Sequence, residues 1–402
     1  MSALPPDGVD RTDGAGDLGE PPEGGKRKGK VKVRHTVAKV VTATLVVIAL
    51  VTGLTVAFLY RHLNHNLDAE DLGNAIGQGV VDKHKWPAPS GPINILVMGS
   101  DNRDAPGDHV DNLTGIGQRS DTTILLHLSA DRSRAYGVSI PRDSVVARPS
   151  CLDNDGKPIS APATDMWNDA FNIGGPACTI RQFEKLTHIT VDHWIVVDFA
   201  GFKSMVDALG GVEVCLPHEV NDPIGHITLP AGTHKFTGTQ ALDYVRERHD
   251  LGNGSDIGRM KRQQAFIASM AHQVLSADML AKPFSLLRFL DAATKSIHLD
   301  EGIGSLKKLA GLGFKFRHIG LDHIQFVTTP WEEDPSDPNR VVWNEPAASE
   351  LWNDIRLDKP LPKSMLSGSL SAHQIPGVTK KPKNSQQEQA QATENLANGL
   401  CA

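Results

Sequence analysis

The sequence predicts an α/β fold: a layered α/β/α domain with a central mixed sheet, preceded by one transmembrane helix. Three observations carry this reading. Short apolar runs, several apolar on both faces as buried strands are, alternate with amphipathic helical stretches. Residues 40–60 form a 21-residue run without a charge, the length that crosses about 30 Å of hydrocarbon as a helix. The composition is a globular average, 40% hydrophobic, 22% charged and 5% aromatic, which excludes a wholly disordered chain and a polytopic membrane protein.

Residues 1–39 carry eight bases against six acids, a net of +2, so the net charge of -6 for all 402 residues places about -8 after the apolar run. The acids come first, among Pro and Gly, and the bases crowd into residues 26–39. Such a head buries no core and is expected to be a disordered, basic, cytoplasmic segment. Residues 40–60 end in Phe-Leu-Tyr-Arg and lack a small-x-small cleavage site, which favours a retained anchor over a signal peptide. The basic cluster before the span outweighs the lone Arg61 after it, so the N-terminus is expected in the cytoplasm and the rest of the chain outside. The expected localisation is therefore a single-pass protein of the cell membrane.

Residues 61–90 read as a polar stalk closing in Trp-Pro-Ala-Pro-Ser-Gly, and a folded domain is expected over residues 91–358. Within it, residues 93–98, 122–128, 135–140, 193–197, 212–215 and 323–328 have strand character. Helices are expected over residues 178–186, over residues 200–209 up to Gly210-Gly211, and over residues 260–275 after a Ser255-Asp256 cap. Residues 282–312 are helical in pattern. Residues 359–402, rich in Pro, Ser, Gln, Asn and Lys, show no periodicity and are expected to be a disordered tail.

Four cysteines allow three pairings. An oxidising exterior would let Cys151 pair with Cys178, 27 positions on in loop-like surroundings, leaving Cys215 as a buried thiol in a strand and Cys401 in the tail.

Polar residues crowd the strand ends, where open α/β sheets place ligands. Residues 93–98 run into Gly99-Ser100-Asp101-Asn102-Arg103-Asp104, the next strand follows Arg119-Ser120-Asp121, and the third leads to Pro141-Arg142-Asp143-Ser144. Three consecutive strands thus bring an Asp and an Arg to a terminus. A fourth cluster spans Tyr244 to His249, where Arg246 and Arg248 share one side only if the helix has ended by then. In a fifth, Arg259 and Gln263 lie four apart on one helix face, near a helix N-terminus suited to phosphate oxygens. Several Arg with two or more Asp, and no nucleophilic triad or zinc-like spacing, suit a metal-bound phosphate ester: a hard cation such as Mg²⁺ takes one or two carboxylates, water and phosphate. The glycines of residues 252–258 are spaced GxGxxxG after a helix-like segment, which argues against a dinucleotide site. The acidic balance gives no general reason to bind nucleic acid. His193 reads as a satisfied strand histidine; His249, beside the Arg pair, is open to either role.

In order, GSDNRD, RSDT, SIPRDS, WNDAFNIGGP, DFAGFKSMVDALGGVEV, GTQALDYVRERH and GRMKRQQ resemble the LytR-CpsA-Psr family of bacterial cell-envelope proteins, actinobacterial type, over residues 93–266. The resemblance implies a membrane-anchored phosphotransferase that moves a glycopolymer from a polyprenyl-pyrophosphate carrier onto peptidoglycan. It implies that Asp101 and Asp121 bind Mg²⁺ on the pyrophosphate, and that Arg119, Arg142, Arg246, Arg248 and Arg259 clamp its oxygens while Gln263 orients the head group. Asp143 is then expected to anchor its loop, and Asn168 to serve either role. The catalytic set expected on this basis is Asp101, Asp121, Arg142, Arg246 and Arg248. Two alternatives stand beside it: a transcriptional attenuator, for which the short cytoplasmic head offers no helix-turn-helix, and a non-catalytic polyprenyl-pyrophosphate-binding protein.

Overall fold

The computed structural model describes residues 33–73, 91–101, 120–153, 156–316, 319–379 and 386–401. The basic head up to residue 32, the second half of the expected stalk, and residues 102–119 lie outside the described residues. Met1–Ala57 and Phe58–Ala402 form two compact units.

Helix α1 (Val33–His65) contains the uncharged run. Val40, Leu45, Ile48, Leu54 and Phe58 are all exposed. Residues Thr36–His65 are long and apolar enough to cross a membrane.

The domain is built on eight strands: β1 (Asp68–Glu70), β2 (Ile93–Ser100), β3 (Ser120–Leu128), β4 (Ala135–Ile140), β5 (His193–Asp198), β6 (Ile297–Asp300), β7 (Ile324–Thr328) and β8 (Leu370–Ser371). Their order across the sheet is β1-β6-β5-β2-β3-β4-β7-β8. The sheet is mixed, because β2 runs antiparallel to β3 but parallel to β5, and β4 runs parallel to β7. Central strands are apolar on both faces because helices cover both. Leu96 and Met98 pack with Val138 of β4 and with Phe183 and Trp352, from α2 (Asp169–Thr187) and a later helix, Ala347–Arg356. Ile93 and Ile95, alternating with them, pack on the other face against Ile319, with Leu312 and Phe316 beside them.

Helices α3 (Phe199–Ala208), α4 (Gly238–Arg246) and α5 (Asp256–Val274) enclose a second apolar cluster with two hairpins. Each is bounded by a side chain that satisfies free backbone N–H groups. Asp198 Oδ1 accepts from Gly201 N, Thr237 forms a reciprocal capping box with Gln240, and Ser255 Oγ accepts from Gly258 N. Gly238 lets α4 lie on α3, since a Cβ there would meet the Lys203 carbonyl oxygen at 2.3 Å. Gly175, with φ 57° and ψ -150°, kinks α2 near its start. That break hides the first turn of α2, so the helix begins nine residues before the expected position 178.

Four expectations need correction. The stalk is partly domain: β1 adds a strand beside β6, Leu63 is buried, and Asn64 Oδ1 accepts the backbone N–H of Leu306 at 3.0 Å. The expected helix over residues 282–312 is two helices, Pro283–Lys295 and Leu306–Phe316, separated by β6. The strand expected over residues 212–215 is present as Val212–Leu216, paired with Gly232–Phe236 in a hairpin outside the main sheet. The C-terminal segment is not a detached tail. It contributes β8, a helix over Gln386–Ala397, and the buried residues Ile375 and Leu400. Cys401 is disulfide-bonded to Cys215, so neither is a free thiol, and Cys151 is bonded to Cys178. A two-residue strand and isolated apolar residues among polar ones have no period to detect; their partners lie far away in sequence.

Candidate functional site

Four charged loops meet where β2, β3 and β4 approach the N-terminus of α5. Asp101 directly follows β2 and is buried. Ser100 and Ser120 are paired partners across the β2–β3 ladder, so Asp101 and Asp121 stand at the same end of adjacent strands. β4 ends at Ile140 and delivers Arg142 two residues later. Arg119 falls outside the described residues.

Arg142 is the hub. Its Nη1 donates to Asp121 Oδ1 at 2.5 Å, and its Nε lies 3.0 Å from Asp256 Oδ1 and 3.5 Å from Asp143 Oδ1. Asp256 also pairs with Arg259 Nη2 in the first turn of α5. Arg340 Nη1 reaches Asp143 Oδ1 at 4.0 Å. Burial alone would push the Asp121 carboxyl up, but Arg142, then Arg259 and Arg246, outweigh it and hold Asp121 below the usual carboxylate range. Asp143 moves the other way: burial and then Asp256 raise it against Arg142, Arg259 and Arg248. Asp143 therefore takes up a proton more readily than Asp121.

α4 ends at Arg246, and Glu247 leaves the helix with ψ 136°. The helix has thus ended between Arg246 and Arg248, and both act on the acidic cluster, Arg246 on Asp121 and Arg248 on Asp143. Arg246 lies over the Phe199 ring, 5.3 Å from its centroid, and Arg248 is exposed. Gln263, one turn after Arg259, accepts from Thr122 Oγ1 at 3.0 Å and donates to the Val245 carbonyl at 3.1 Å, knitting β3 to the end of α4. Asn168 backs the hub: its backbone N–H donates to the Arg142 carbonyl at 3.3 Å, and its buried Oδ1 has no hydrogen-bond partner among the described residues.

Sequence reasoning missed three contributors. Asp256 reads as a helix-start residue but is the carboxylate shared by Arg142 and Arg259. Phe199, quoted only within DFAGFKSMVDALGGVEV, lies under Arg246. Arg262, fully buried, donates to the carbonyls of Glu247, Leu251 and Asn398, thereby holding the loop behind Arg248 against the C-terminal segment. The Arg at 262 in the GRMKRQQ stretch was the available signal; its direction was not. His193, expected as a satisfied strand residue, is buried with Nδ1 3.1 Å from Asp300 Oδ1.

The model of the LytR_cpsA_psr family matches residues 60–356. The chain belongs to the LytR-CpsA-Psr family. Among its relatives, the cell wall biosynthesis protein LcpA of Corynebacterium glutamicum is 32% identical over 325 residues, covering 74% of this chain and 60% of that protein. The chain therefore spans about three fifths of the length of that corynebacterial relative. The polyisoprenyl-teichoic acid–peptidoglycan teichoic acid transferase TagT of Bacillus subtilis is 28% identical, covering 83% of this chain and 97% of that one. The solved structure of TagT bound to LI-WTA superposes with a TM-score of 0.52 at 21% identity, covering 72% of this chain and 98% of that chain, a likeness of fold. Within the LytR-CpsA-Psr fold, this chain gathers Asp101, Asp121, Arg142 and Arg259 at the ends of β2, β3 and β4.

Proposed function

We propose that this protein is a membrane-anchored phosphotransferase that moves a glycopolymer from a polyprenyl-pyrophosphate carrier onto peptidoglycan, with its N-terminus cytoplasmic and its domain outside. The observation that carries the reading is the concentration of Arg142, Arg246, Arg248 and Arg259 around Asp121 and Asp143 on an otherwise acidic chain. Guanidinium groups are matched to phosphoryl oxygens, and phosphoryl transfer depends chiefly on positioning and charge neutralisation. The names of LcpA and TagT support a cell-wall role.

Asp101 and Asp121 fit a hard divalent cation: they are two carboxylates at adjacent strand ends, and the surrounding arginines keep Asp121 ionised. They would hold Mg²⁺, which when bound neutralises pyrophosphate charge. Arg246 and Arg248, which flank the end of α4, bind the pyrophosphate oxygens. Arg142 and Arg259 already share Asp256, so they brace the carboxylates while offering their remaining N–H groups to the substrate. The acceptor hydroxyl forms the new P–O bond at the phosphate nearest the sugar. The bond from that phosphorus to the bridging oxygen breaks, and polyprenyl phosphate leaves.

The test incubates the detergent-solubilised full chain with a polyprenyl-pyrophosphate saccharide, Mg²⁺ and peptidoglycan, and counts label transferred. Arg246→Ala is expected to lose about 10²–10³-fold in rate, as for removal of one transition-state donor. Transfer undiminished in Asp101→Ala or Arg246→Ala overturns the assignment. Carrier binding without turnover would instead support the non-catalytic alternative.

A further inference from the structure

The segment that presents Arg246 and Arg248 carries a second set of side chains. Glu247, where the chain leaves α4, and His249 alternate with the two arginines in the sequence. Glu247 is only 1% exposed. Its Oε1 accepts the backbone N–H groups of His249 at 2.6 Å and Asp250 at 2.7 Å, while its buried Oε2 has no hydrogen-bond partner among the described residues. Facing it is Asp222, equally buried, at the end of strand Val220–Asp222. Asp222 Oδ1 accepts from Ile224 N at 2.8 Å, and Oδ2 lies 2.7 Å from His249 Nδ1. One ligating atom from each of Asp222, Glu247 and His249 falls within 4.8 Å of the other two. The nearby cation, Arg262, donates to the Glu247 carbonyl and not to its carboxylate.

Two buried carboxylates so close together, one with an oxygen left over, are costly without a positive partner, and a buried acceptor without one calls for an explanation. The imidazole of His249 is half exposed, which opens a path from solvent.

We propose that Asp222, Glu247 and His249 form a second divalent-cation site, selective for a zinc-like transition ion. The imidazole nitrogen makes the choice, since Mg²⁺ prefers an all-oxygen, largely hydrated shell whereas His with carboxylates suits zinc and its neighbours. The ion takes the place of the proton between His249 Nδ1 and Asp222 Oδ2, and the imidazole keeps its other proton on Nε2. Three protein ligands leave a position for water. The ion would fasten the hairpin of Val220–Asp222 and Ile227–Leu229 to the backbone of Arg248, fixing that arginine from behind. The site stands independently of the transfer reaction.

The full chain in detergent micelles, stripped with EDTA and held in excess MgCl₂, is titrated with CoCl₂ and read by visible absorption. One equivalent is expected to bind saturably, with bands abolished by added ZnCl₂. His249→Ala, at a half-exposed side chain, is expected to weaken binding by at least about tenfold, the loss that even an outer-shell change produces. Glu247→Gln should weaken it similarly, and Asp101→Asn should leave it unchanged. No saturable binding, an affinity unaltered by His249→Ala, or loss of binding in Asp101→Asn overturns the proposal.

Discussion

Replacing Arg142 by Met removes the shared cation from three carboxylates while keeping much of the side-chain volume. In the native protein the guanidinium lies within 2.5–3.5 Å of Asp121, Asp256 and Asp143, all of them well shielded. One such pair is worth about 4 kcal/mol at 4 Å and an effective dielectric constant of about 20, part of which is returned because the buried guanidinium no longer has to be desolvated. Arg259 still serves Asp256, so the loss centres on Asp121. We expect Arg142→Met to destabilise the domain by about 3 kcal/mol at pH 7.5, near the lower end for breaking a buried pair.

The pH dependence provides the discriminating sign. Asp121 has a depressed pKa in the folded protein, so its contribution to stability is present above the ordinary value of 3.8 and is lost as pH falls through the folded value. In Arg142→Met, burial dominates and raises that pKa, and the carboxyl becomes tolerable once protonated. The stability difference between the two proteins should therefore be largest near pH 7.5 and shrink toward pH 4.5. Urea unfolding of the full chain in micelles, followed by tryptophan fluorescence, reads this directly, since Trp167, Trp194 and Trp352 share one core. A difference below about 1 kcal/mol, the worth of an exposed pair, or one that is equal at both pH values, would refute the reasoning.

The Cys215–Cys401 bridge spans 186 residues of sequence, and a loop of that length implies about 5 kcal/mol of stabilisation by the chain-entropy model. Alkylation of the unreduced, denatured protein should label no cysteine, and Cys401→Ser should unfold at markedly lower urea; two labelled cysteines would contradict the pairing. Burial pushes Glu184 up from 4.5 to about 7 even though Val191 N donates to it, so its folded form holds a proton that the unfolded chain has released. Stability from this group is present below pH 4.5 and lost as pH rises to about 7, a change of about 3 kcal/mol. Glu184→Gln should therefore gain on the wild type across that window, and parallel unfolding midpoints at pH 4.5 and 7.5 would count against it.

Much of the fold was legible because local chemistry specified it. The both-faces-apolar strands β2, β3, β4 and β5, the Ser255 cap of α5 and the uncharged run of α1 each carry their signal within a few neighbouring residues. The site was partly legible for the same reason: strand ends concentrate polar residues, and the spacing of Arg246 and Arg248 stated in advance what the backbone had to do.

Other features depend on partners distant in sequence. Glu247 sits between two arginines and was passed over as a charge among charges; Asp222, 25 positions earlier, gives it a role. Asp256 looked like a cap until Arg142 arrived from 114 positions away. The C-terminal segment looked disordered because its order comes from the Cys215 bridge, the Arg262 contact to the Asn398 carbonyl and the β7–β8 pairing. The sequence by itself determined the long uncharged apolar helix, the alternating elements and which loops carry charge, since each follows from local periodicity and composition. The tertiary structure alone decided which carboxylate serves which arginine, because a side chain's electrostatic partner is set by the packing of separate elements and leaves no period in the chain.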